Sequence, residues 1–259
     1  MNAMPLFRSA MTLLMISAMT GCQQLPMVQS PSGNFNARVN HLIIHFTSEN
    51  FGESLRILTG SVDRPVSAHY LLPEPGDPTY DQSSLVIYEL VPTELRAWHA
   101  GVSYWAGKTG LNDQSIGIEI VNESRCLESI KALANSPAFE DRCVFRPFSE
   151  EQIDLLIRLL QSILERYPDI QPHTVLGHSD IAPLRKIDPG EKFPWKYLSK
   201  KGVCFYPKKD FSKFKNKKSI DTVGFIKNLH KIGYRYLDKK NKKKLIKNFQ
   251  RKYRQKLIN

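Results

Sequence analysis

Cysteine is scarce: 4 in 259 residues, none in the Cys-x-x-Cys spacing of a cysteine-built zinc site. Zinc held by Cys126, Cys143 and Cys204 is therefore disfavoured. Long apolar runs are missing as well. The stretch Ala10 to Ala18 is too short to span a bilayer, which takes about 20 residues. Acidic residues nearly vanish from the C-terminal part. Residues 207–259 hold 19 Lys plus Arg against 3 Asp plus Glu, net +16, so residues 1–206 carry −4 of the chain's formal +12. The positive charge belongs to one segment, and any polyanionic partner it implies is a partner of that segment.

What is present begins with a leader. Arg8 precedes the apolar stretch, and Met19-Thr20-Gly21-Cys22 follows it. This resembles a bacterial lipoprotein signal over residues 1–22, with cleavage before Cys22 and lipid on its thiol; a plain secretory signal is the alternative. Gln23 rather than aspartate after the cysteine implies sorting to an outer membrane, with the protein body in the periplasm. Residues 23–37, rich in Gln, Pro, Ser and Asn, read as a tether. That compartment permits one disulfide. Cys126 with Cys143 is the expected pair, because they bracket an insertion between a strand and a helix that a bridge would staple.

The run Gly177-His178-Ser179-Asp180-Ile181-Ala182-Pro183-Leu184-Arg185-Lys186-Ile187-Asp188-Pro189-Gly190 puts a histidine, a lysine and aspartates on one turn-rich loop. A hydrolytic zinc centre needs three nitrogen or oxygen ligands and an open fourth position. His178 and Asp188 supply two candidates, and prolines keep them on a rigid turn rather than a helix. His45, ending the β-branched run Val39 to Phe46, is the third candidate; His41, His69, His173 and His230 taken singly read as ordinary hydrogen-bonded histidines. Glu119 lies in the apolar run Ser115 to Asn122, where burial raises a carboxyl pKa toward the range of a general acid/base. The same alternation also fits a charge on the solvated face of an edge strand. Lys186, two residues before Asp188, is the cation placed to stabilise an oxyanion.

Taken together, His45 at a strand end, Trp98-His99-Ala100-Gly101, Leu111-Asn112-Asp113 before Ser115-Ile116-Gly117-Ile118-Glu119, and the Gly177–Gly190 loop resemble the zinc-dependent N-acetylmuramoyl-L-alanine amidases, the type 2 amidases. The resemblance covers roughly residues 38–200. It implies one Zn2+ per chain and hydrolysis of the amide between N-acetylmuramic acid and L-alanine in peptidoglycan or muropeptides. Position by position it implies His45, His178 and Asp188 as metal ligands, Glu119 as catalytic carboxylate and Lys186 as transition-state lysine. It also implies that His69, His99, Trp105 and Asn112 lie at the substrate groove or behind the ligands. Two other classes remain in view: a peptidoglycan receptor without turnover, and a zinc peptidase cutting the stem peptide.

The expected fold is α/β, a central mixed sheet flanked by helices over residues 38–206, followed by a small basic helical domain at 207–259. Strands are expected at 39–46, 85–91 and 115–121, and helices at 51–60 and 149–166, the second opened by a capping box at Ser149-Glu150-Glu151-Gln152. In the tail, Phe225, Leu229, Ile232 and Tyr234, then Leu245, Ile246, Phe249 and Tyr253, fall at helical spacing, and the strings Leu229-His230-Lys231-Ile232-Gly233-Tyr234 and Phe249-Gln250-Arg251-Lys252-Tyr253 resemble a small three-helix peptidoglycan-binding module. Its lysines suit peptidoglycan carboxylates first, anionic lipid second and nucleic acid last, so no nucleic acid is expected as partner.

Overall fold

The computed structural model describes residues 25–60, 63, 65–126, 143–208, 222–235 and 241–257. Cys22 and the leader lie outside the described residues, as do 127–142 and 209–221. Residues 25–36 are exposed and without regular structure, in a unit separate from Ala37–Asn259. Among the described residues, no helix is long and apolar enough to cross a membrane.

Five strands make a mixed sheet: β1 (His41–Phe46), β2 (Tyr70–Leu72), β3 (Tyr88–Glu89), β6 (Ser115–Ile120) and β9 (Val175–Gly177), in the order β3-β2-β6-β1-β9. Only the β2–β3 pair is antiparallel among these five. Two ribbons stand apart, β4 (Tyr104–Trp105) with β5 (Lys108–Thr109), and β7 (Arg125–Cys126) with β8 (Cys143–Val144). The expected strand at 85–91 shrinks to two residues, and β2 and β9, three residues each, were not anticipated. Such short strands carry too few residues for a period to show.

All six residues of β1 are buried, because the parallel sheet is covered on both faces. On one face lies α2 (Glu150–Arg166), whose Ile153, Leu156, Ile157, Leu160 and Ile163 pack with Leu42, Ile44, Ile116, Ile118 and Ile120. Each such side chain contributes roughly 1.5–3 kcal/mol, far above any helix-propensity difference. Ser149 Oγ accepts from Gln152 N as expected, but the box is half made. The Gln152 amide instead donates to Pro73 O and Val121 O, closing the end of β6. Helix α1 (Phe51–Thr59) starts where Asn50 accepts from Glu53 N.

The other face is covered in part by α1, whose Phe51 and Leu58 pack with Leu71 and Val121, and in part by the tail. Helices α5 (Thr222–Lys231) and α6 (Lys242–Tyr253) place Ile226, Leu229 and Leu245, with Tyr234 just after α5, in one cluster with Ile43, Trp105, Leu176 and Ile181. The short helices α3 (His178–Ile181) and α4 (Trp195–Lys200) lie in the segment after β9. By packing, residues 37–259 form one compact unit, so the boundary seen near 207 is one of charge. Ile232, expected on the buried face, is 52% exposed.

Candidate metal centre and groove

His45 ends β1, Glu119 is its partner in the register of β6, and His178 and Asp188 bracket the loop that leaves β9. The parallel pairing therefore delivers one imidazole and one carboxylate side by side, and the β9 loop brings the other two groups to them. His45 Nδ1, His178 Nδ1 and Asp188 Oδ2 form a triangle with edges of 2.9, 3.0 and 3.1 Å. All three side chains are buried, and this is the one cluster of its kind among the described residues.

The hydroxyl and carbonyl groups behind the rings assign the ring protons, with Arg185 Nη2 a further neighbour of His178 Nε2 at 3.3 Å. Ser115 Oγ donates to Leu111 O, so it accepts from His99 Nε2 at 3.3 Å. His99 Nδ1 is then an acceptor and takes the Nε2 proton of His45 at 3.0 Å. His178 Nε2 donates to Ala100 O at 3.1 Å. Both imidazoles thus turn bare Nδ1 lone pairs toward each other and toward a carboxylate, an arrangement that is repulsive without a cation between them. Burial pushes His178 down to about 4, and it pushes His99 well below the ordinary histidine value, so both are neutral near pH 7. Two imidazole nitrogens and one carboxylate oxygen fit zinc.

The groups behind the ligands converge on two consecutive residues. His99 orients His45, and the Ala100 carbonyl orients His178. Asn112 Oδ1 holds both by accepting from His99 N at 3.1 Å and Ala100 N at 2.7 Å. Arg185 donates to Ala100 O and to Val102 O, the latter from Nη2 at 2.8 Å, and ties the same turn from the other side. Gly117 lets the His99 ring lie against β6, since a Cβ there would sit 2.3 Å from the imidazole. Sequence reasoning had no signal for Arg185.

Glu119 Oε1 is 3.9 Å from His45 Nδ1, while Oε2 is buried with no hydrogen-bond partner. Burial raises its pKa, Asp188 adds to the rise, and His45 and Lys186 oppose it. Glu119, Lys186 and Asp188 line a cleft of about 400 Å³ together with Trp98, Val66 and Arg125. Trp98, 49% exposed, offers its ring to that cleft. Trp105 and His69, expected at the groove or behind the ligands, do not line the cleft, although His69 packs edge-on against His99 at 5.7 Å. Trp105 is core, 4% exposed and stacked edge-on against Tyr234, with Gly233 pressed to its ring where a Cβ would clash at 2.5 Å. His69 is fully buried under β6, accepting from Gly117 N at 3.0 Å. Both corrections have one cause: sequence shows that an aromatic residue is present, but the path of the chain decides which side of the sheet it fills. His99 and Asn112 border a smaller neighbouring cleft from below.

Residues 35–191 match the family model for N-acetylmuramoyl-L-alanine amidase. The chain belongs to that family and is an enzyme of that class. It is 36% identical over 230 residues to the N-acetylmuramoyl-L-alanine amidase AmiD of Escherichia coli K12, covering 86% of this chain and 77% of AmiD. Among solved structures it is similar to AmpDh3 of Pseudomonas aeruginosa in complex with anhydromuramic pentapeptide, at TM-score 0.76 and 34% identity, covering 90% of this chain and 91% of that one. It is also similar to AmiD of E. coli in complex with anhydro-N-acetylmuramic acid-L-Ala-D-gamma-Glu-L-Lys, at TM-score 0.73 and 35% identity over 89% and 86% of the two chains.

The ribbon β7–β8 sets Cys126 opposite Cys143 in register. Cys143 is disulfide-bonded, whereas Cys204 is a free, buried thiol.

Proposed function

We propose that this amidase is zinc-dependent and cleaves the amide between N-acetylmuramic acid and L-alanine, with His45, His178 and Asp188 as ligands. The observation that carries the metal is the pair of bare Nδ1 atoms 2.9 Å apart beside Asp188 Oδ2. When bound, zinc supplies Lewis-acid polarisation of the scissile carbonyl and brings the pKa of a water to about 7. Glu119, its carboxyl raised by burial beside the ligands, takes the proton of the attacking water and hands it to the nitrogen of the departing L-alanine. Lys186, on the wall of the same cleft, places its ammonium by the oxygen that gains charge as the carbonyl carbon becomes tetrahedral.

The substrate reading, a muropeptide or wall strand, rests on the relatives whose solved complexes hold anhydromuramyl peptides. Cys126 pairs with Cys143, anchoring the rim that presents Arg125 to the cleft. The lipid on Cys22, the outer-membrane address, the tether at 23–37 and a wall-directed role for the basic segment 207–259 belong to this same proposal. Mass spectrometry of soluble products from purified peptidoglycan tests it. Zinc-dependent release of sugar-free peptides that begin with L-alanine is the expected result. Fragments cut inside the stem would indicate a peptidase, and an intact wall carrying bound protein would indicate a receptor.

A further inference from the structure

The C-terminal segment is the most basic part of the chain, yet one of its lysines is not at the surface. Lys252, on α6, is 3% exposed. Its Nζ donates to Val175 O at 2.9 Å and to Asp180 Oδ2 at 3.1 Å, and it lies 4.3 Å from the ring centre of Trp195. Asp180, itself 1% exposed, also accepts from Gly177 N at 2.9 Å and from the Tyr234 hydroxyl. One carboxylate in the turn that begins with His178 is thus held by two residues from the tail.

The same helix touches that loop again further along. Asn248 Nδ2 donates to Pro183 O at 2.6 Å, and Lys244 Nζ lies 3.4 Å from Leu184 O. The loop is closed internally by Ser179 N donating to Asp188 O at 2.9 Å. A charge kept in the interior demands its partner, because an unpaired buried ion is far more costly than the pair. Lys252 therefore cannot leave without moving Asp180, and Asp180 cannot move without the backbone of Gly177 and His178.

We propose that α6 is a working part of the metal centre: Lys252 and Tyr234 clamp Asp180 and so hold the His178–Asp188 loop in the geometry that binds zinc. The inference rests on the zinc reading of the site. Lys252, Tyr234 and Asp180 act here as positioning residues, two steps removed from the metal. Groups that orient ligands typically change metal affinity by about 10–100-fold when lost, and the clamp falls in the same class of effect.

The test is a zinc affinity measured by chelator competition, with the visible absorption of the cobalt-substituted protein as a second readout. It compares wild type, Lys252→Met, Tyr234→Phe and Leu245→Ala. Leu245 is buried on the same helix but contributes only apolar packing, so its truncation destabilises the fold without breaking the clamp. The clamp predicts zinc bound about tenfold or more weakly by Lys252→Met, a smaller loss for Tyr234→Phe, altered cobalt bands in both, and near-wild-type affinity for Leu245→Ala. Wild-type affinity and cobalt bands in the two clamp variants would overturn it. So would a loss in Leu245→Ala equal to that in Lys252→Met at matched thermal stability. Should Lys252→Met fail to fold, Tyr234→Phe, which removes a single hydroxyl, carries the test alone. A wild type that binds no zinc would overturn the zinc reading itself, and the clamp with it, an outcome distinct from tight wild-type binding unaffected by the variants.

Discussion

His45 and Glu119 face each other across the β1–β6 pairing, with Nδ1 of one 3.9 Å from Oε1 of the other. The imidazole and the carboxylate proposed as metal ligand and proton carrier thus sit on adjacent strands, where backbone hydrogen bonds set their separation. Glu119→Gln keeps the shape and removes the base. Its kcat should fall about 10²–10⁴-fold while zinc content stays at one per chain. Wild-type turnover in this variant would dismiss the assigned role.

The acid side of the pH–rate profile should report the same group. Glu119 acts ionised, and burial raises its pKa, so activity should decline on acidification at a pH above the ordinary glutamate value. The profile of kcat/KM for the zinc-loaded enzyme checks this; a limb at or below the ordinary glutamate value of about 4.3 would contradict it.

Lys186 shares the cleft with Glu119 and Asp188. Lys186→Ala should lower kcat roughly 10²–10³-fold with KM and zinc affinity little changed, as for loss of one group that stabilises developing charge. A change confined to KM would make Lys186 a substrate-binding residue instead.

His99 holds the His45 ring and Asn112 holds the His99–Ala100 backbone, so both stand behind the proposed metal ligands. Their alanine variants should bind zinc about 10–100-fold more weakly. Chelator competition decides it, and an Asn112→Ala protein with unaltered affinity would show that the Ala100 turn holds without that side chain.

His41, at the start of β1 and away from the ligands, offers a stability test. Burial lowers it to about 4, with Lys108 and His173 acting in the same direction. An unfolded histidine titrates near 6.5, so the unfolded chain binds a proton that the folded chain refuses. This group's stabilising effect is complete above about pH 6.5 and is lost as pH falls toward 4, at most about 3 kcal/mol over that window. Denaturant unfolding of zinc-loaded wild type and His41→Gln at about pH 7 and about pH 5 should show a shallower pH slope for the variant. Equal slopes would place the effect elsewhere.

Much of the site was legible because it follows from local chemistry in linear order. His45 after a run of β-branched residues, Glu119 inside another, and His178, Lys186 and Asp188 on one proline-bounded loop are recognisable without coordinates. The mixed α/β sheet and helices α1 and α2 were expected from the pattern of apolar segments, α2 with Ser149 at its start, whereas the Asn50 cap of α1 emerged only in the structure. What stayed hidden depends on which distant segments meet. Trp105 and His69 are aromatic residues near the right motifs, but one fills the core beneath Tyr234 and the other props β6.

Lys252 marks the limit most plainly. A run of lysines in sequence means solvated charge, because isolated charge is expelled from an interior, and that reasoning holds for Lys227, Lys231 and Lys243, which are exposed. It fails at Lys252 because Asp180, 72 residues earlier, waits at the bottom of the loop to receive it. By itself the sequence determined the donor set and the strands that carry it, since these are properties of residue type and local period. Tertiary structure alone decided which nitrogens face one another beside Asp188 and that the basic tail braces the loop, since both depend on hydrogen bonds between residues far apart in the chain.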